Sequence, residues 1–128
     1  MTAARLGAVA LVVPDYDAAI FFFVGVMGFR LTADMDQGTK RWVTVEPPGG
    51  GVALVLAQAE GPEQRAAIGN QCGGRVFLFL ETDDFDRDHG RMIAAGVLFE
   101  EPPRHEPYGT VAVWRDPFGN RWDLIERR

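Results

Sequence analysis

The sequence predicts an α+β fold made of two tandem βαβββ modules, and three observations carry the prediction. Val9–Val13 leads through Asp15-Tyr16-Asp17 into a helical pattern and then Gly28-Phe29-Arg30. About sixty-nine residues later Phe77–Glu81 leads through Asp84-Phe85-Asp86 into a second helical pattern and then Gly96-Val97. The ends agree too: Trp42–Val45 and Gly51–Leu56 map without gaps onto Thr110–Val113 and Gly119–Leu124. A duplicated module implies a pseudo-symmetric protein with a site between its halves, and it pairs off the residues that are equivalent there.

The elements follow in order. Leu6–Val13 reads as a buried strand, being short, apolar and valine-rich. Asp15 or Asp17 caps the next helix, over residues 17–27, by accepting from its free amide groups, and Gly28 ends it in a left-handed conformation. Phe29–Ala33 and Arg41–Glu46 are strands, Pro47–Gly51 a turn, and Val52–Ala57 the fourth strand. Residues 60–74 form a connector in which Pro62-Glu63 suits a short helix start and Gly69, Gly73 and Gly74 break it. The order then repeats: strand Arg75–Thr82, helix 84–95 ended by Gly96, strand Val97–Glu100, a Pro- and Glu-rich loop from Glu101 to Gly109, strand Thr110–Arg115, the turn Asp116–Asn120, and strand Arg121–Glu126. Module 1 is expected over about 5–58, the connector over 59–74 and module 2 over about 75–127, within a single domain of 128 residues.

The two helices differ. The second has one apolar face, with Phe85, Met92 and Ile93 set among Asp86, Arg87, Asp88 and Arg91, and His89 on its solvated side. The first is apolar nearly all round from Ala18 to Val26, whereas a helix covering one sheet needs a single apolar stripe. The surplus face, with Phe21 and Phe22 outward, is expected to meet a second subunit and give a homodimer, the alternative being burial under the connector.

A formal net charge of −5 and the lack of a basic stripe exclude nucleic acid as the default partner. No run approaches the roughly twenty apolar residues of a membrane span. Cys72 is the one cysteine, so no intrachain disulfide forms, and a cytoplasmic location is the simplest expectation. There is no serine, which removes a serine nucleophile, and Cys72 between Gln71 and Gly73 has no activating histidine nearby in sequence.

Strand parity sorts the side chains onto two faces. Val9, Leu11, Val13, Leu54, Leu56, Val43 and Val45 are assigned beneath the first helix, and Leu78, Leu80, Trp122, Leu124, Val111 and Val113 beneath the second. The opposite face then collects Trp42, Glu46, Phe77, Phe79, Trp114, Arg121 and Asp123, an aromatic surface with a few charged anchors that suits a small-molecule cleft, the alternative being a second core between two sheets. The Arg104-His105-Glu106-Pro107-Tyr108 segment is expected to act as a mobile lid over it that reads ligand identity.

A strand, Asp15-Tyr16-Asp17-Ala18-Ala19, an aromatic-rich helix, Gly28-Phe29, and finally Asp116-Pro117-Phe118-Gly119-Asn120-Arg121-Trp122-Asp123-Leu124 together resemble the vicinal oxygen chelate superfamily. That superfamily includes glyoxalase I, extradiol dioxygenases, and fosfomycin- and bleomycin-resistance proteins. The resemblance covers nearly the whole chain and implies a curved, barrel-like mixed sheet around a cleft, with the helices outside. It also implies a divalent metal held by side chains of the first and fourth strands of each module. Carried over by motif, those positions are Ala8, Val55, Phe77 and Asp123, and Asp123 alone offers a donor atom. No cofactor is therefore expected. A divalent metal would have to recruit His105 with Asp123 or Glu46, against the three or more protein donors usual for such sites.

Three readings follow. In the first, the chain binds a small aromatic or cationic molecule without a metal, like the bleomycin-resistance branch, through Trp42, Trp114, Phe77, Phe79 and Tyr108, with Asp123 or Glu46 neutralising charge and Arg121 at hand. In the second, it is a glyoxalase- or dioxygenase-like enzyme with an atypical metal site, or with Asp123 or Glu46 as general base. In the third, it is a non-catalytic assembly module driven by the first helix.

Overall fold

The computed structural model describes residues 3–128. Two compact units, one running to Ala67 and the other from Ile68 to Arg128, divide within the predicted connector. Each unit carries one mixed sheet, giving the α+β, βαβββ-like pattern expected.

The first unit runs β1 (Ala8–Val13), α1 (Tyr16–Ile20) continuing as a π-helix (Phe21–Val26), β2 (Arg30–Asp36), β3 (Arg41–Glu46), β4 (Ala53–Gln58) and α2 (Gly61–Ala67). Its strand order is β1-β4-β3-β2, with β1 parallel to β4 and the other pairs antiparallel. Asp15 is the cap: its carboxylate accepts from the Ala18 amide at 2.8 Å. Leu11, Val13, Val43, Val45, Leu54 and Leu56 are buried, as are Ala19, Phe23 and Met27 of the helical segment.

The π-helix changes which aromatics face out. Met27 N–H donates to the Phe22 carbonyl, five residues back, at 2.9 Å. The widened turn lets consecutive phenylalanines share the buried side. Phe22 and Phe23 meet edge to face at 5.1 Å. Phe22 is thus 7% exposed, not outward as the plain helical reading has it, while Phe21 is 71% exposed.

The second strand, expected to begin with Phe29, starts one residue later. Phe29 sits before it, 5.5 Å from the Phe23 ring, and β2 extends to Asp36. Its polar end is fixed by Arg41, which bonds Asp34 at 2.8 and 3.1 Å and Asp17 at 2.9 Å. Charged pairing of this kind leaves no apolar alternation to read in the sequence.

The second unit runs β5 (Val76–Glu81), α3 (Phe85–Ala94), β6 (Leu98–Phe99), β7 (Arg104–Glu106), β8 (Gly109–Arg115) and β9 (Arg121–Arg127). The sheet order is β5-β9-β8-β6, with β5 parallel to β9 and β7 also paired to β8. Asp84 caps α3 through the Arg87 amide at 3.1 Å, and Glu126 accepts from the Phe85 amide at 2.6 Å. Ile93, expected in the buried stripe, is exposed. His89, expected in solvent, takes that role: one turn beyond Phe85, it stacks on that ring at 5.3 Å and meets Phe99 edge-on at 4.6 Å.

The largest correction concerns β8. Val43 stands opposite Leu56, but its repeat equivalent Val111 stands opposite Ile125, not Leu124. The connection between β3 and β4 spans six residues (47–52) and that between β8 and β9 spans five (116–120), so the pairing slips by one. A one-residue slip moves every side chain to the other face. Trp114 therefore lies opposite Trp122 on the helix side, stacked at 4.8 Å and 0% exposed. Val111 and Val113 take the face of Asp123.

The tighter turn is built around Asp116. Its buried carboxylate accepts from the amides of Phe118 and Asn120 at 3.0 Å each, from Asn120 Nδ2 at 2.9 Å and from Trp122 Nε1 at 3.1 Å. The connector passes close by. A Cβ on Gly69, which has φ +71°, would lie 2.3 Å from the Phe118 carbonyl, so a side chain cannot be accommodated there.

Candidate ligand-binding faces

In the first unit the face away from the helix has a floor of small side chains. Ala8 and Ala10 of β1 are exposed, and Ala53, Val55 and Ala57 of β4 are half-buried. Trp42 of β3 stands opposite Met35 of β2 at its margin, and Trp42 is 42% exposed. Glu46, two positions pairwise along β3, faces Arg30 and contacts its guanidinium at 3.4 Å. A floor of small side chains beside a half-exposed indole is a surface on which a planar apolar molecule can lie.

In the second unit the corresponding face centres on Asp123 of β9. Phe79 of β5 lies on one side of it, in register and 57% exposed, and Val113 of β8 lies on the other. Phe77 is half-buried at the irregularity where β5 and β9 lose register. Two residues that the parity reading left out complete the group. Glu101 accepts from the Val113 amide at 2.9 Å through one oxygen and from Arg104 Nε at 2.9 Å through the other. Arg104 also donates to Glu106 at 3.1 Å.

The expected lid is a strand. Arg104–Glu106 pairs with β8, so Arg104 and Glu106 take the Asp123 face, opposite Val111 and Gly109. His105 points the other way, opposite Thr110, whose hydroxyl lies 3.3 Å from Nδ1. It therefore does not join Asp123. Alternation along β7 carried this signal, but the prolines before it hid the strand. Tyr108 is exposed in the turn that follows, and its carbonyl accepts from the Arg128 amide at 3.0 Å. Arg121 is engaged locally: it forms two hydrogen bonds to Glu100, at 2.9 and 3.0 Å, and one to the Gly74 carbonyl at 3.0 Å.

Burial raises the Asp123 carboxyl above the usual carboxylate range; Arg104 and Arg121 pull it down and Glu101 pushes it further up. Its Oδ1 is buried with no hydrogen-bond partner among the described residues. The ionised form is therefore disfavoured by folding, and the sign is opposite to that of a salt-bridged aspartate. The cost is present above the folded pKa and disappears as pH falls through it toward the ordinary carboxylate value. Asp123→Asn is expected to raise unfolding free energy at pH 7 by on the order of 1 kcal/mol, with the gain vanishing near about pH 4. Urea denaturation at the two pH values checks it; equal effects at both would contradict the burial cost.

The donor set does not fit a resident divalent metal. The first- and fourth-strand positions are Ala8 and Val55 in one unit and Phe77 and Asp123 in the other, and among the described residues no three His, Cys, Asp or Glu side chains gather closely enough to hold an ion. Among those residues no helix is long and apolar enough to cross a membrane.

Comparison with known proteins gives a consistent result. The Glyoxalase/Bleomycin resistance protein/Dioxygenase superfamily model matches residues 5–124. An uncharacterized protein of Shewanella frigidimarina (strain NCIMB 400) is 56% identical over 121 residues, 92% of this chain and 90% of that protein. The crystal structure of UcmS2 superimposes with a TM-score of 0.84 at 33% identity, covering 97% of this chain and 98% of that one. TnmS3, an antibiotic binding protein from Streptomyces sp. CB03234, superimposes with a TM-score of 0.80 at 31% identity, covering 100% and 99%.

Proposed function

Since this chain belongs to the Glyoxalase/Bleomycin resistance protein/Dioxygenase superfamily, we propose that it captures a small aromatic molecule of antibiotic type on its open strand faces, without a catalytic metal and without changing the ligand. One observation carries the reading. At the four positions where the superfamily places metal donors, this chain has Ala8, Val55 and Phe77 with Asp123 alone offering a donor, while exposed aromatics, Trp42 and Phe79, stand on the same faces. Such a surface supplies stacking and dispersion, which capture needs, and lacks the Lewis acid that the enzymes use. The likeness to an antibiotic binding protein supports it. A homodimer built through the exposed Phe21 belongs to the same proposal.

The raised carboxyl of Asp123 favours a second reading, an enzyme in which it is a general base. Titration of aromatic and cationic antibiotics against intrinsic tryptophan fluorescence, followed by mass analysis of the recovered ligand, separates the two. Capture gives saturable quenching and an unaltered ligand. A chemically altered ligand supports the second reading, and no saturable quenching across the panel sinks the first.

A further inference from the structure

The capture reading leaves the ligand's chemistry open, and the face around Asp123 narrows it. On this face the cations of β7 and β9 are already committed. Arg104 is bonded to Glu101 and Glu106, Arg121 to Glu100, and Arg127 to Glu81 at 3.2 Å. One acceptor is not: both Glu101 oxygens are in use and Glu106 is held by Arg104, but Asp123 Oδ1 is buried with no donor among the described residues. Asp123 is half-buried and takes no hydrogen bond from the described residues, so its other oxygen is open to a donor on a bound molecule. Phe79, in register with Asp123 and largely exposed, provides an apolar plate beside that acceptor.

We infer that Asp123 sets specificity: this face selects planar aromatic ligands that carry a hydrogen-bond donor, above all a cationic nitrogen group, and rejects aromatic anions. The donor meets the Asp123 carboxylate while the ring lies against Phe79. Anions find the guanidinium groups of Arg104, Arg121 and Arg127 already paired and face Asp123, Glu101 and Glu106 together. The inference rests on the capture reading and gives it a substrate class.

Three probes of one shape test it: 2-naphthamidine, 2-methoxynaphthalene and 2-naphthoate, titrated into the whole chain and followed by the backbone amide resonances of Phe79 and Val113. The expected order is naphthamidine at least about tenfold tighter than methoxynaphthalene, with naphthoate weakest. Asp123→Asn should abolish most of the naphthamidine advantage and leave methoxynaphthalene unchanged; a merely structural role would move both together. In the unaltered chain, naphthamidine affinity should fall as Asp123 is protonated at acid pH while methoxynaphthalene affinity stays constant. Equal affinities for naphthamidine and methoxynaphthalene, or naphthoate binding tightest, overturn the inference and leave capture standing. No saturable shift with any of the three overturns capture and the inference together.

Discussion

Trp114→Ala is expected to lower the free energy of unfolding by about 3–5 kcal/mol, the cost usual for deleting a fully buried tryptophan. The indole has no exposed surface and lies flat against Trp122 across the β8–β9 pair. Removing it leaves a cavity next to Trp122, which would lose the stacked ring as well. Trp42→Ala provides the contrast. Trp42 is partly exposed opposite Met35, so its loss should shift unfolding by less than about 1 kcal/mol. Denaturant unfolding of both variants measures the difference. Were Trp114 on the ligand side, its removal would weaken binding and leave stability almost untouched.

Asp116→Ala is expected to cost about 3–4 kcal/mol, since it strips the acceptor from donors buried in the turn. Trp122 Nε1 and Asn120 Nδ2 both lose their carboxylate, and the amides of Phe118 and Asn120 lose the oxygen that shapes the chain there. Burial raises the Asp116 carboxyl despite these four hydrogen bonds, so the protonated form is relatively favoured in the folded state. Asp116→Asn keeps one acceptor oxygen and should cost less than half as much as the alanine change. Thermal and urea unfolding of the pair check this. A small effect of Asp116→Ala would mean that the turn is held by β8–β9 pairing alone, and that the five-residue connection does not need this knot.

What the sequence made legible was local. Apolar runs marked β1, β4 and β5, Asp15 and Asp84 marked helix starts, and the glycines at 28 and 96 marked the ends. Their periodicity is set by burial, and burial is written in residue type. Three features were hidden because their causes lie between segments. A single residue fewer in the Asp116–Asn120 connection moved Trp114 from the face of Asp123 to that of Trp122, and a constant repeat interval cannot reveal it. The π-helix placed Phe22 inside with Phe23, where helical spacing placed it outside. The polar strand β7 brought Arg104 beside Asp123 and turned His105 away, and no apolar alternation announced it. Asp123 itself came from strand parity and from the motif of the resemblance, with the repeat supporting the register, but the unpartnered oxygen that gives it chemical meaning appears only in three dimensions.

Isothermal titration of one aromatic antibiotic into the protein, before and after exhaustive chelation, tests the central claim most directly. Capture by stacking and a single carboxylate predicts the same affinity and stoichiometry in both titrations. Loss of binding on chelation, restored by adding back a divalent ion, would contradict it.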